Sequence, residues 1–313
     1  MTGSSRMPPG DGRAEVVVDG SSGLVPQGHQ LPARTRIGGV SLQVSDLTRS
    51  RDFYERTLGL HVISAEHGRL LLGADNGHVG LIELVENRAG RTSSAGSRLG
   101  LYHVAILLPS RSELGRFMTH LQGMGIRAGA ADHLVSEALY LQDPDGLGIE
   151  VYADRAQALW RRNGRELMMA SDPIDARGLL AAAGGVPWAG MPAGTIVGHV
   201  HLHVGDLELA SKFYGDGVGF DRMVWSYPGA LFLGAGGYHH HLGTNTWAGA
   251  QARPAAANDP RLVEWSLILP TAVDVQSVAD NLQSLGHPIT SDGADVIVRD
   301  PWSTQLRLRP AHA

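Results

Sequence analysis

The chain of 313 residues carries 15 histidines and 31 carboxylates but no cysteine. Thiolate metal sites, iron–sulfur clusters, disulfides and cysteine nucleophiles are therefore excluded. Any metal must sit on imidazole nitrogen and carboxylate oxygen, and imidazole is also the side chain best suited to moving protons near neutral pH. Six of the 15 histidines lie between His199 and His241. His199, His201 and His203 alternate with apolar residues, so they share one face of a strand. Residues i and i+4 of a strand lie about 13 Å apart, so at most one of the three is expected to bind a given ion. The others are expected to line a cavity or to be hydrogen-bonded in the structure. The run His239-His240-His241 has the composition of a metal-binding tract, but strand alternation turns its middle residue away from the outer two. A second concentration of polar side chains runs from His133 through Tyr140 and Asp143-Pro144 to Glu150, with His103 upstream.

The elements that position these residues come from a duplication. Gly38–Leu60 and Gly198–Phe220 are identical at nine of 23 positions, among them Asp46/Asp206, Phe53/Phe213, Tyr54/Tyr214 and Gly59/Gly219. Asp143-Pro144 repeats as Asp300-Pro301. Each half shows an alternating strand, a helix started by an Asp and stopped near a Gly, and three further strand-like runs, and then repeats that unit. The chain reads as an α+β protein of four βαβββ modules, near 36–87, 100–153, 196–247 and 262–309. The expected organisation is a disordered tail over 1–35, an N-terminal domain over 36–154, a helical and then Gly/Pro-rich connection over 155–195, and a C-terminal domain over 196–310. One module leaves an open sheet edge, so modules are expected to pair into curved sheets around a cavity. The uncharged stretch Gly178–Gly198 contains Pro187, Pro192 and six glycines and reads as a linker rather than a membrane span. A net charge of −5 argues against nucleic acid as a main partner. No apolar signal segment is evident, and a cytoplasmic location is expected.

The four-module pattern resembles the vicinal oxygen chelate superfamily, which includes glyoxalases, bleomycin resistance proteins and extradiol dioxygenases. Its members form tandem domains whose open curved sheets enclose a metal. Within it, His133 through Tyr140, Asp143-Pro144-Asp145-Gly146 and Glu150 resemble the signature of the type I extradiol ring-cleaving dioxygenases. The resemblance covers about residues 36–309 and is closest to two-domain catechol 2,3-dioxygenase-like proteins and their hydroquinone-cleaving relatives. It implies Glu150 and His103 as metal ligands, with His133 and Tyr140 in support. The third ligand belongs on the first strand of the partner module. In module 1 that position is Gly39, which has no side chain to offer, whereas module 3 has His199. Module 4 has Glu264 and Arg307 where module 2 has His103 and Glu150. Modules 2 and 3 are therefore expected to face each other across the domain boundary. A gap-free alignment of Ala230–His240 with Ala138–Gly148 puts His240 two residues before Leu242, the position matching Glu150, and so on the cavity face as the acid–base residue.

The resemblance implies Fe(II), with Mn(II) compatible with the same ligands, and an aromatic diol and O₂ as partners. It also implies an oxidoreductase that inserts both oxygen atoms next to the hydroxylated carbons. A homo-oligomer is compatible with the sequence. The alternatives within the superfamily are a glyoxalase-like Ni or Zn lyase or isomerase, which would need a second carboxylate where Leu242 stands, and a metal-free binding or resistance protein.

Overall fold

The computed structural model describes residues 22–74, 79–89 and 98–311. Four βαβββ units follow one another in the order expected from the repeats. The first comprises β1 (Arg36–Val44), α1 (Leu47–Asp52, prolonged by a π-helical turn Phe53–Thr57), β2 (His61–Glu66), β3 (Arg69–Gly73) and β4 (Ile82–Glu86). The second comprises β5 (Arg98–Leu107), α2 (Arg111–Gly123), β6 (Gly129–Asp132), β7 (Ser136–Gln142) and β8 (Gly148–Asp154). A connection with the short strands β9 (Arg162–Asn163) and β10 (Glu166–Leu167) and helix α3 (Ala176–Ala182) leads to the third unit. That unit comprises β11 (Ile196–His203), α4 (Leu207–Ala210, prolonged by a π-helical turn Ser211–Val218), β12 (Asp221–Val224), β13 (Ala230–Gly234) and β14 (Leu242–Asn245). After β15 (Arg253–Pro254) comes the fourth, with β16 (Arg261–Leu269), α5 (Ala272–Ser284), β17 (Ile289–Asp292), β18 (Asp295–Arg299) and β19 (Gln305–Pro310).

Helix starts follow the sequence signals. Asp46 and Asp206 accept hydrogen bonds from the backbone N–H groups of Arg49 and Leu209, Ser110 from Glu113, and Thr271 forms a reciprocal capping box with Asp274. Gly59 and Gly219 end the repeated helices with φ of 80° and 103°, a left-handed conformation that favours glycine.

Apart from the β9–β10 pair of the connection, the strands assemble into two sheets, each taking one module from either half of the sequence. One sheet runs β12-β13-β14-β11-β5-β8-β7-β6, from modules 3 and 2, and the other β17-β18-β19-β16-β1-β4-β3-β2, from modules 4 and 1. The central pairs β5–β11 and β1–β16 are antiparallel. Modules of the same half are joined by buried side chains instead. The Tyr54 hydroxyl donates to Asp143 Oδ2 at 3.2 Å, and its repeat Tyr214 donates to Asp300 Oδ2 at 2.8 Å. Ser45 donates to Asp145 through both its backbone N–H and its hydroxyl. The Asp-Pro turns of modules 2 and 4 thus hold the helices of modules 1 and 3.

A continuous apolar core fills the space between each sheet and its helices. Val40, Leu42 and Val44 of β1, Val200 and Leu202 of β11 and Val204 just after it enter it on alternate positions, with Tyr54, Phe117, Phe213, Tyr214 and Trp265 packed against them. Residues 1–21 of the expected tail lie outside the described residues. The remainder, 22–35, packs on module 3: Leu24 bridges Arg222, Gln30 hydrogen-bonds Asp221, and Leu31 is buried. Enough apolar surface sits in that short stretch to order it, which its Gly/Ser/Pro content masks. No helix among the described residues is long and apolar enough to cross a membrane.

Candidate metal centre

Three adjacent strands converge on one group of ligand atoms. β5 carries His103, its antiparallel neighbour β11 carries His199, and its parallel neighbour β8 carries Glu150. His199 pairs with Ala105 on one side and Glu150 pairs with Ala105 on the other, so the two longer side chains meet across a small one. Glu150 Oε2 lies 2.9 Å from His103 Nε2 and 3.2 Å from His199 Nε2. All three ligand atoms fall within 4.8 Å of one another, and all three residues are buried. Metal bonds of about 2.1 Å at right angles put ligand atoms about 3.0 Å apart, close to the spacings to Glu150. His103 Nε2, which faces Glu150, is buried without a hydrogen-bond partner. An unpartnered imidazole nitrogen aimed at a carboxylate oxygen is what a ligand set presents to a divalent ion, and the donor set fits one.

Electrostatics prepare the same state. Burial alone would raise the Glu150 carboxyl, but the adjacent His199 and His103 outweigh it and hold it well below the usual carboxylate range. Burial pushes His199 down to about 4 against the opposing pull of Glu150. A neutral imidazole beside an ionised carboxylate is the form that binds a cation without first losing a proton.

The ligands form the floor of a cavity of about 160 Å³. Its walls are Tyr102, Tyr140, Tyr227, Phe232, Trp247, Met169 and Ala131, with His133, His201 and His240 adding nitrogen atoms. No Lys or Arg lines it among the described residues. The His240 ring lies 4.1 Å from that of His199 and 4.9 Å from that of Phe232. His133 Nδ1 faces the Ala170 carbonyl at 2.6 Å and therefore donates to it. His133 Nε2 is then an acceptor, and the Tyr140 hydroxyl, 2.5 Å away, donates to it. Burial, followed by the nearby Glu150 charge, holds the Tyr140 hydroxyl well above its ordinary pKa, so it stays protonated.

The structure thus brings all six residues singled out above to one cavity, but it corrects how His240 arrives there. Glu150 pairs with Tyr140, and the equivalent pair in module 3 is Gly243 with Phe232, so the counterpart of Glu150 is Gly243, not Leu242. His239–His241 lie in the turn before β14 rather than on a regular strand. His241 is buried against Phe220, with Nδ1 accepting from the Ala235 N–H, and burial lowers it to about 3. Asn245 occupies the other two histidines of β11: its Nδ2 donates to His201 Nε2 at 2.9 Å, and His203 Nδ1 donates to its Oδ1 at 2.6 Å.

Sequence reasoning missed part of the wall. Met169, Ala170 and Ser171 come from the connection, Tyr102 from β5 beside His103, and Tyr227 from the loop between β12 and β13. No motif marks them; the first three arrive by the pairing of the connection with Asp132 and His133 at the end of β6.

The polar groups at the equivalent positions in the other sheet are taken up by partners within the protein. The Gly39 N–H and carbonyl are both bonded to Ser266 Oγ, Glu83 is held by Ser41 and Arg69, and Arg307 ties Glu264 to Asp292 and Asp295.

Residues 36–151 match the family described as the Glyoxalase/Bleomycin resistance protein/Dioxygenase superfamily. The chain is 43% identical over 272 residues to a catechol-2,3-dioxygenase of Bacillus subtilis (strain 168), an alignment covering 86% of this chain and 95% of that protein. Among solved structures, a candidate dioxygenase of Bacillus subtilis superposes with a TM-score of 0.65 at 13% identity, covering 91% of this chain and 87% of the other. Glyoxalase I of Zea mays superposes with a TM-score of 0.52 at 16% identity, covering 88% and 92%. At such identities the two superpositions establish a shared fold.

Proposed function

The chain belongs to the glyoxalase/bleomycin resistance protein/dioxygenase superfamily, and on that premise we propose that it is a metal-dependent extradiol dioxygenase. It would open a catechol-type or hydroquinone-type ring beside the hydroxylated carbons and place both atoms of O₂ in the product. The observation that carries this reading is the convergence of His103, Glu150 and His199 on the floor of an aromatic-walled cavity, in a chain related to a catechol-2,3-dioxygenase.

Two neutral imidazoles and one carboxylate suit Fe(II), with Mn(II) accommodated by the same donors. A divalent ion held there would offer open positions to both diol oxygens and to O₂ and let electron density pass from ring to oxygen. The chain's own residues do the rest. His240 is placed to take a phenolic proton and return it later. Tyr140, oriented by His133, offers its oxygen at the cavity wall. The aromatic walls exclude water and hold a flat ring.

The cavity volume is close to the roughly 150 Å³ that takes up one benzene ring. With no cationic side chain on its walls, a ring carboxylate would be desolvated without a partner. Uncharged single-ring diols are therefore expected to exceed 3,4-dihydroxybenzoate in kcat/KM by about 100-fold, equivalent to about 2.7 kcal/mol. A Ni- or Zn-dependent isomerase would require a second carboxylate from β14, where Gly243 stands.

The test is anaerobic loading with Fe(II), addition of catechols and hydroquinones, and measurement of O₂ uptake and semialdehyde absorbance. Ring opening with one O₂ consumed per diol is expected. Glu150→Gln and His199→Ala should each lose bound metal and about 1,000-fold or more in rate while staying folded. Tight Ni or Zn binding with no O₂ uptake on any diol would overturn the reading.

A further inference from the structure

Behind His240 lies a hydrogen-bonded chain that leads out of the cavity. His240 Nδ1 is 2.7 Å from His239 Nδ1, and His239 Nε2 is 2.9 Å from Asp154 Oδ1. Asp154 Oδ2 accepts from the Tyr238 hydroxyl at 3.0 Å, and that hydroxyl is 2.8 Å from the Tyr152 hydroxyl. His239 is fully buried, whereas the Asp154 side chain is one-quarter exposed. Asp154 stands four residues beyond Glu150 on β8 and so shares its face. One strand thus supplies a carboxylate to the metal centre and another to this chain.

The order of donors along the chain follows from the carboxylate, which only accepts. Asp154 Oδ1 therefore fixes the proton of a neutral His239 on Nε2, leaving His239 Nδ1 a lone pair. His239 Nδ1 in turn fixes the His240 proton on Nδ1. His240 then presents Nε2 to the cavity as an acceptor, the tautomer needed to take a proton from a hydroxyl. We infer that Asp154 and His239 are positioning residues that hold His240 in this tautomer and orientation. The use of His240 rests on the ring-opening reading above; the order of donors does not.

The experiment is a long-range ¹H–¹⁵N spectrum of the histidine rings in the metal-free full-length chain, assigned by difference with His239→Asn and His240→Asn. The expected result is a proton on Nδ1 of His240 and on Nε2 of His239. Asp154→Asn should turn this into a mixture, with kcat of the iron-loaded enzyme falling about 100-fold. KM for the diol and bound iron should stay within about twofold, and Asp154→Glu should recover much of the rate. A proton on Nε2 of His240 in the unaltered chain, or protons on both nitrogens of His239, would overturn the inference even if Asp154→Asn does not fold. So would an Asp154→Asn enzyme that loses the tautomer yet keeps kcat within about twofold. An unaltered chain with the expected tautomers and no ring opening would fail the functional reading while leaving the clamp intact.

Discussion

At the scale of single residues, the same side-chain type does opposite work in two places. Glu150 is ionised because two imidazoles face it, whereas Asp143, equally buried, is pushed up to about 6 because burial outweighs the backbone N–H groups it accepts from. The ordinary value for Asp143 is 3.8. Between these values the native protein holds a proton that the unfolded chain has released. The stabilisation is therefore complete below about pH 3.8 and is lost as pH rises through about 6. A shift of about two units corresponds to about 3 kcal/mol. Asp143→Asn keeps an oxygen for the N–H groups of Asp145 and Leu147 and an amide for Tyr54. Its unfolding free energy, followed by urea titration, should gain about 3 kcal/mol on that of the unaltered chain between pH 4 and pH 7. A constant difference across that range would show that the carboxyl is not raised. Asp143 could be picked out from its motif, but the sign of its shift could not, because desolvation depends on what covers the turn.

At the scale of elements, β11 shows how alternation assigns faces. Its odd histidines turn to the cavity side and its even apolar residues to the core, as period-two geometry requires. What alternation cannot supply is the partner strand. A Cβ on Gly243 of β14 would lie 2.8 Å from His201 Cγ, so the glycine makes room for the ring. Gly243→Ala should displace His201, break its bond to Asn245, lower stability by about 1–3 kcal/mol and raise KM for the diol. Thermal melting and steady-state kinetics check this. Gly123→Ala, at the end of α2 with open space around it, is the control and should leave KM unchanged and stability unchanged or raised by up to about 1 kcal/mol. The one-residue slip in placing His240 has the same origin: β13 and β14 pair in a register set by a turn longer than in module 2, which a gap-free alignment does not capture.

At the scale of the whole molecule, the metal ligands bridge the two halves of the sequence. His103 and Glu150 belong to the first half and His199 to the second, joined through β5 and β11. An ion bound by all three should stabilise both halves together. Free metal at 100 times its Kd adds about 2.7 kcal/mol, enough to raise Tm by about 5 °C in a chain of this size. Calorimetry with and without Fe(II) under anaerobic conditions should show one transition moving upward. A split transition in which one half alone responds would show that the site is not shared.

The duplication, the four modules, the helix start at Asp46 with its repeat at Asp206, and the two residues that cannot ligate, Gly39 and Arg307, were legible in the sequence. Each depends on residue type and short-range spacing, which the chain carries in one dimension. Together with the resemblance to the extradiol signature, which implies the ligand set, that was enough to nominate His103, Glu150 and His199. Tertiary structure alone decided the cavity wall from the connection, the Asn245 clamp on His201 and His203, and the chain from His240 to Asp154. Those contacts join residues up to 86 positions apart, as between Tyr152 and Tyr238. Their distances are set by sheet register and loop packing rather than by local pattern.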